Sequence, residues 1–224
     1  RMAAVLSKRQ MTEEDIKLQF ITPAITKKWA LSLITMETRI TDGQINLRGN
    51  MVSRKEAKKA DYILYLNEST PIAIVEAKDN KHDGFMEHDF LTGEERSISM
   101  EDFPAPDALY ARFKAGANHG EGLTQQEESV IRQPFYSGQN TYPPRYYQRN
   151  AVNRTLDAIA RGQDRILLVM ATGTGKTYTA FQIVYRLLKS GMKKKILYLA
   201  DRNILVDQSI QQDFAPLEKT IHKV

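Results

Sequence analysis

The chain has 224 residues, of which 42% are hydrophobic and 26% charged. This length suffices for one good core or two small ones, since domains usually hold roughly 100 to 200 residues. The 32 basic and 27 acidic side chains leave a net charge of +5, a mild bias toward polyanions. The lack of cysteine excludes a disulfide framework, thiolate metal sites and cysteine nucleophiles. Without a signal peptide or an apolar run of ~20 residues, we expect a cytoplasmic protein with no membrane partner.

The first half of the chain predicts a helix followed by strands. Thr12 and Asp15 form a capping pair, and apolar residues recur at helical spacing from there to Trp29, with Pro23 expected to kink or split the helix. Strand-like segments follow at Leu33–Ile40, Tyr62–Leu66 and Ile72–Ala77, and a turn-rich sequence joins the last two into an antiparallel hairpin. Thr92 and Gly93 indicate a second hairpin, between Phe85–Phe90 and Ser97–Ile98.

The second half alternates between helices and apolar strands. Helices are predicted at Tyr147–Arg161 and Lys176–Lys189, and short buried strands at Ile166–Met170 and Ile196–Ala200. This alternation is typical of a parallel sheet with right-handed crossovers. The expected fold class is therefore α/β throughout, with a first domain over 1–115, a linker over 116–143 and a second domain over 144–224.

A phosphate-binding loop lies between the first of these strands and the next helix. Gly173 and Gly175 allow the backbone around Thr174 to form a concave nest of N–H groups at a helix N-terminus, which binds anions. Lys176 would reach the terminal phosphates of ATP, and the Thr177 hydroxyl would ligate Mg2+. Met170 stands where the strict pattern has glycine. The alternative is a chance glycine loop that caps a helix.

Two flanking segments resemble those of superfamily two helicases. Gln148 lies upstream of the loop, where these motors place a glutamine that reads the adenine edge, so the resemblance makes Gln148 and Arg145 candidates for base recognition. Downstream, Leu197–Arg202 continuing to Gln208 is similar to motif Ia, which contacts a nucleic-acid strand. A buried strand followed by an ordinary amphipathic helix explains this downstream segment nearly as well.

Three charged residues of the first half form a candidate cleavage site. Side chains alternate along a strand, so Glu76 and Lys78 share one face, and Asp61 can lie opposite them in the hairpin. Phosphodiester hydrolysis needs carboxylates that hold Mg2+, and a nearby ammonium often assists. Asp61, Glu76 and Lys78 together supply two carboxylates and an ammonium of the kind that this chemistry uses. The alternative is an exposed strand end with an ordinary ion pair.

The order of these motifs resembles the restriction subunit of type I restriction enzymes over nearly the whole chain. The closest segments are Ser53–Tyr62, Ile74–Asp79 and the Tyr-Gln, phosphate-loop and Asp-Arg series. The resemblance implies a restriction-nuclease-like α/β domain followed by the start of a RecA-like helicase domain. It also implies ATP-driven translocation along double-stranded DNA, Mg2+-dependent cleavage by Asp61, Glu76 and Lys78, and methylation and specificity subunits as partners. Four basic residues lie just before Asp61: Arg54, Lys55, Lys58 and Lys59. They belong either to a solvated basic loop or to a surface that contacts DNA phosphates.

Two departures from the family pattern lead to further expectations. The family follows its Glu-x-Lys strand with a helix that carries a glutamine and a tyrosine, but here a hairpin-like segment begins within a few residues. We therefore expect residues of this core to be missing from the numbering between about His82 and Gly84. The acidic Walker B motif, the arginine finger and the second motor lobe are expected after Val224, and Arg1 suggests that residues precede it. This chain alone is thus expected to bind ATP without hydrolysing it efficiently.

Two other classes of function remain open from the sequence. One is a superfamily two helicase or repair translocase whose first domain grips DNA without cutting it. The other is a non-enzymatic module in which ATP only orders the phosphate loop. The four histidines have no metal-ligand spacing, and no role is predicted for them.

Overall fold

A computed structural model describes residues 11–41, 45–48, 51–54, 56–78, 84–90, 92–138, 142–200 and 211–222. The chain divides into two compact units, Arg1–Leu123 and Thr124–Val224. The division falls inside the predicted linker, and the ranges predicted for the two domains remain predictions. Both helices and strands are present, so the fold is mixed α/β. Among the described residues, no helix is long and apolar enough to cross a membrane.

The first unit opens with a helical run made of three pieces: α1 (Glu13–Ile16), a π-helical segment (Lys17–Ile21) and α2 (Thr22–Thr26). Thr12 caps its start, because the Thr12 hydroxyl accepts from the Asp15 N–H and the Asp15 carboxylate accepts from the Thr12 N–H. The helix type changes at Thr22, one residue before Pro23. The predicted helix and its irregularity at Pro23 are thus confirmed.

A three-stranded antiparallel sheet follows. Its strands, in their order across the sheet, are β1 (Ile34–Thr41), β4 (Lys58–Asn67) and β5 (Thr70–Val75). The pairing of β4 with β5 confirms the predicted hairpin. The helical run packs on one face of this sheet. The buried core between them contains the following apolar residues: Ile16, Ile21, Ile25, Trp29, Tyr62, Leu64, Val75, Ala77 and Phe103. The Tyr62 hydroxyl lies 2.8 Å from the Thr22 hydroxyl and so links the helical run to β4.

Two separate hairpins and a helix complete the first unit. The hairpins are β2 (Ile45–Arg48) with β3 (Met51–Arg54), and β6 (Gly84–His88) with β7 (Glu95–Ser99). The second of these confirms the hairpin predicted around Gly93. Helix α3 (Pro106–Gly116) follows. The expected break between His82 and Gly84 lies outside the described residues.

The described residues of the second unit include three α-helices, α4 (Gln125–Arg132), α5 (Tyr146–Ala160) and α6 (Lys176–Lys189), and a short 3-10 helix, Ala215–Thr220. The predicted bounds of α6 are confirmed, and those of α5 differ by one residue at each end. The α4 helix lies inside the predicted linker, yet Val130 is fully buried against Val152, Leu156 and Leu187. This part of the linker therefore belongs to the core of the second unit.

The predicted buried strands of the second unit were wrong for the described residues. Residues 166–170 and 196–200 form no strand there, and their exposure alternates along the chain. Ile166 and Leu168 are 39% and 40% exposed, while Leu167 and Val169 are 85% and 87% exposed. A strand is stabilised by ladder hydrogen bonds to a neighbouring strand, and the described residues supply none to these two segments. Apolar composition alone therefore does not bury them.

A buried arginine ties α4 to the other two helices. Arg186 of α6 is 1% exposed, and its guanidinium donates to the Val130 carbonyl at 3.0 Å and to Asn153 Oδ1 at 2.6 Å. The guanidinium also lies over the Phe135 ring, 4.9 Å from its centroid. Burial lowers the pKa of Arg186 to about 10, so the side chain is still charged at neutral pH.

We predict that Arg186→Met loosens α4 by about 1 kcal/mol, because the helix loses the guanidinium that joins the Val130 carbonyl to Asn153, although the Gln133 N–H still donates to that carbonyl. Hydrogen exchange followed by mass spectrometry should show faster exchange across Gln125–Arg132. Lys189→Met removes an exposed cation from the same helix and serves as the control. Unchanged protection of α4 in Arg186→Met would contradict the prediction.

Candidate functional site

The proposed cleavage residue Asp61 is held by a hydrogen bond between two strands. Asp61 lies on β4, and its Oδ2 accepts from the Ala77 N–H at 2.6 Å, just beyond the end of β5. The side chain is 15% exposed. The bond fixes the carboxylate beside the backbone that connects Glu76 to Lys78. The structure thus brings the Asp61 side chain to the predicted segment.

Glu76 and Lys78 are exposed, and the residue between them, Ala77, is buried. This alternation places Glu76 and Lys78 on one side of the chain, as predicted. Tyr62 pairs with Val75 in the β4–β5 register, so one further step places Asp61 opposite Glu76. Directly opposed residues of an antiparallel pair share a face. The two carboxylate residues therefore occupy neighbouring positions at the end of the hairpin.

The cation in contact with Asp61 is Lys17, a residue for which the sequence predicted no role. The Lys17 Nζ lies 2.6 Å from Asp61 Oδ1, and the Lys17 side chain is only 4% exposed. Burial alone would raise the pKa of Asp61, but the hydrogen bonds from Lys17 and the Ala77 N–H outweigh it and lower that pKa below its ordinary value. Burial would lower the pKa of Lys17, but its bonds to Asp61, Glu14 and Glu37 raise it overall. Both side chains are therefore charged at neutral pH.

Lys17 was missed by sequence reasoning, although the sequence carries a signal for it. Lys17, Ile21, Ala24 and Ile25 follow the i, i+4, i+7, i+8 spacing of a buried helix face, and all four are buried. A lysine on an apolar stripe needs a buried partner, since an unpaired buried charge is costly. The sequence does not say which carboxylate supplies the pairing.

The carboxylates at Asp61 and Glu76 suit a divalent metal in their chemistry but form a small donor set. Oxygen ligands are what Mg2+ prefers, and the Lys17 ammonium shows that the Asp61 carboxylate already accommodates a cation. Within the described ranges, no group of three or more His, Cys, Asp or Glu side chains is arranged to hold a metal ion. A metal held by Asp61 and Glu76 would therefore take its remaining ligands from water or substrate.

Two glycines of the predicted phosphate loop adopt left-handed backbone conformations. Gly173 and Gly175 have φ angles of 78° and 80°, which an L side chain rarely adopts, and Gly175 caps the N-terminus of α6. Lys176 is exposed, and its Nζ donates to the Ala171 carbonyl at 3.2 Å. Thr177 is half-buried in the first turn of α6. The loop therefore places its lysine and threonine at a helix N-terminus, which favours anions.

Gln148 connects this loop to the start of α5. Its Oε1 accepts from the Arg145 N–H at 2.9 Å, and its Nε2 donates to the Thr174 carbonyl at 3.0 Å. The Tyr147 hydroxyl also donates to the Thr174 carbonyl at 3.3 Å, and Arg145 Nη1 donates to that hydroxyl at 3.2 Å. The structure thus brings the two predicted base-recognition residues, Arg145 and Gln148, against the loop. Asp201 to Gln208 of the motif Ia-like segment lies outside the described residues.

Gly175 is also required by its close approach to Gln148. A Cβ added at Gly175 would lie 2.4 Å from Gln148 Nε2, so the glutamine would have to give up its position. The positive φ adds a further cost for any L side chain. Gly175 therefore serves both the turn and the contact between the loop and α5.

Comparisons with known proteins relate the chain to subunits of restriction enzymes. Residues 141–223 match the family described as the res subunit of type III restriction enzymes. The chain is thus related to restriction-enzyme subunits over its second unit. Over 99% of its length it is 40% identical to the endonuclease subunit of the type I restriction enzyme EcoAI from Escherichia coli, covering 31% of that protein. It is also 52% identical over 66 residues, 30% of the chain and 6% of the relative, to the EcoKI endonuclease subunit from Escherichia coli strain K12.

A solved structure gives the same result. The chain is similar, with a TM-score of 0.62 and 31% identity, to a fragment assigned to an HsdR subunit of a type I restriction enzyme from Vibrio vulnificus YJ016. The match covers 80% of this chain and 38% of that one. The chain belongs to the family of type I restriction endonuclease (HsdR) subunits and spans about a third of the length of its EcoAI relative.

We predict that Gly175→Ala weakens nucleotide binding and lowers stability by about 1–2 kcal/mol through the strained φ and the displacement of Gln148. Gly191→Ala is the matched control, because Gly191 has a similar φ of 73° with nothing within 4 Å of an added Cβ. Binding of a fluorescent ATP analogue and thermal unfolding would measure both effects. Equal stability losses in the two variants would show that the Gln148 contact contributes nothing.

Proposed function

We propose that the chain belongs to a subunit that translocates along DNA with ATP and cuts it in a Mg2+-dependent reaction, as the restriction subunit of a type I restriction enzyme. The observation that carries the cleavage part is the bond from Ala77 N–H to Asp61, which holds a carboxylate beside Glu76 and Lys78. The endonuclease subunits named among its relatives support it. Double-stranded DNA is the proposed substrate, and methylation and specificity subunits are the proposed partners.

In the proposed cleavage site, Asp61 and Glu76 hold the divalent ion. When bound, that ion would activate water and stabilise the charge that develops on the scissile phosphate. Asp61 is pre-positioned by Lys17 and the Ala77 N–H. Lys78 is exposed on the same side as Glu76, where its ammonium can approach a DNA phosphate. Asp61 is thus held in place by the protein, whereas Glu76 and Lys78 are exposed, where the metal ion and the DNA can reach them.

In the proposed nucleotide site, the backbone N–H groups around Gly173, Thr174 and Gly175 cradle the phosphates of ATP. Lys176 then turns from the Ala171 carbonyl to the terminal phosphates, and Thr177 binds the Mg2+ that accompanies them. Gln148 uses one amide N–H and one carbonyl lone pair within the protein. An amide has two N–H donors and two lone pairs, so one of each remains for an adenine edge. Arg145 is proposed to assist in this recognition.

A helicase or repair translocase whose first unit grips DNA without cutting it is the second candidate function. Both the exposure of Glu76 and Lys78 and the lack of a three-ligand metal group in the described part of the chain favour it. The two functions differ in one measurement. Metal-dependent nicking of plasmid that disappears in Lys78→Ala supports cleavage, whereas no nicking by the intact wild-type complex supports the gripping role.

We predict that Asp61→Ala or Glu76→Ala abolishes DNA cleavage in the intact enzyme while ATP turnover and translocation persist, because the two sites lie in separate compact units. Glu68→Ala changes an exposed carboxylate in the β4–β5 turn and serves as the control. Cleavage assays on circular plasmid and phosphate release measure the two activities. Loss of both activities in a folded Asp61 variant would instead assign this residue a structural role.

We predict that Lys176→Ala removes ATP binding or turnover in the intact enzyme without changing its fold, since the side chain is exposed and supports no core. Lys189→Ala, at the other end of α6, should leave turnover near the wild-type rate. DNA-dependent ATP hydrolysis and circular dichroism provide the measurements. Wild-type hydrolysis by Lys176→Ala would refute the nucleotide-site assignment.

A further inference from the structure

Lys17 is surrounded by carboxylates that belong to three elements of the first unit. Its Nζ lies 2.6 Å from Asp61 Oδ1 on β4, 3.0 Å from Glu37 Oε1 on β1 and 3.0 Å from Glu14 Oε1 on α1. Glu13 Oε1 lies at 3.7 Å. One ammonium therefore faces four carboxylates and is almost fully enclosed. The negative charge around this position exceeds what Lys17 neutralises.

The strand register extends this acidic group across the sheet. Met36 pairs with Tyr62 and Thr38 with Ala60, so Glu37 falls opposite Asp61. On the other side of β4, Glu76 follows Val75, and Val75 pairs with Tyr62, the residue next to Asp61. Glu37 has a φ of 49°, a conformation that costs about 1 kcal/mol or more for a residue other than glycine. The strand thus retains backbone strain at the residue whose carboxylate contacts Lys17.

Both oxygens of Asp61 already have partners within the first unit. Oδ1 contacts the Lys17 ammonium, and Oδ2 accepts from the Ala77 N–H. A divalent ion at Oδ1 would stand within a few ångströms of a positive charge, and like charges repel at this range. A divalent ion at Oδ2 could share that oxygen with the Ala77 N–H, because a carboxylate oxygen has two lone pairs, but it would still lie close to the ammonium on the same carboxylate. Metal binding at Asp61 is therefore opposed by the charge of Lys17.

We infer that Lys17 is a positioning residue that acts as an internal cation: it holds the Asp61 carboxylate in place in the metal-free protein and competes with the divalent ion for that carboxylate. The inference rests on the proposed function, in which Asp61 binds the metal. The wild-type site should consequently bind divalent ions weakly. Removal of the ammonium leaves the Asp61 carboxylate without its cation, so that a divalent ion can take its place.

The test is a titration with Mn2+ of the intact, nucleotide-free subunit, in which electron paramagnetic resonance counts the free ions. Lys17→Met should bind one Mn2+ at least tenfold more tightly than the wild type. Lys17→Arg keeps the positive charge and should bind as the wild type does. Lys27→Met changes an exposed lysine directly after the helical run and is the matched control. The gain in affinity should disappear in Lys17→Met combined with Asp61→Asn.

Each outcome decides the inference. Unchanged or weaker Mn2+ binding by folded Lys17→Met overturns it, and so does equally tight binding by Lys17→Arg. If Lys17→Met is unfolded in EDTA, recovery of its far-ultraviolet circular dichroism on addition of Mn2+ supports the inference, and failure to recover contradicts it. DNA cleavage by Asp61→Ala tests the proposed function separately. If this variant still cuts DNA, the proposed function of Asp61 is wrong. If it does not cut DNA but Lys17→Met binds Mn2+ no more tightly than the wild type, only the inferred competition between Lys17 and the metal ion is wrong.

Discussion

The first unit depends on the contact of one buried ammonium with carboxylates from separate elements. Lys17 lies on the buried face of the helical run, and the carboxylates of Asp61 and Glu37 on the sheet offset the cost of enclosing its charge. The same contact fixes Asp61 at the hairpin end, where the Ala77 N–H binds its second oxygen. Packing and the candidate cleavage site are therefore coupled, because the contact between Lys17 and Asp61 both holds the helical run on the sheet and orients the Asp61 carboxylate.

The second unit orients its candidate site through a neutral side chain. Gln148 is 8% exposed and joins the N-terminus of α5 to the Thr174 carbonyl, so the loop shape is tied to a helix that also packs on α4 and α6. Backbone amides at a helix N-terminus attract anions without a buried charge. This site therefore needs glycines for its turn and an amide for its position, but it needs no counter-ion.

Secondary structure was predicted well where it depends on residues that are close together in the sequence. The Thr12 capping pair, the turn before β5 and the glycines of the phosphate loop each specify structure within a few residues, and the observed bounds differ little from those expected. The segments at 166–170 and 196–200 show the limit, since an apolar run becomes a buried strand only when neighbours and covering layers are present. Lys17 shows a second limit, because periodicity marks it as buried while its partner Asp61 is 44 residues away in sequence and is found only through the fold.

The two candidate sites consequently differ in how ligand binding changes them. In the loop of the second unit, the Ala171 carbonyl accepts from Lys176 Nζ and from the Thr174 N–H, so a phosphate that binds Lys176 would take it from that carbonyl. The carboxylate of Asp61 is already paired with an enclosed ammonium, in a contact that also holds the helix to the sheet. If Asp61 binds a metal ion as proposed, that ion approaches a carboxylate whose positive partner is supplied by the protein itself, and repulsion between the two cations weakens its binding.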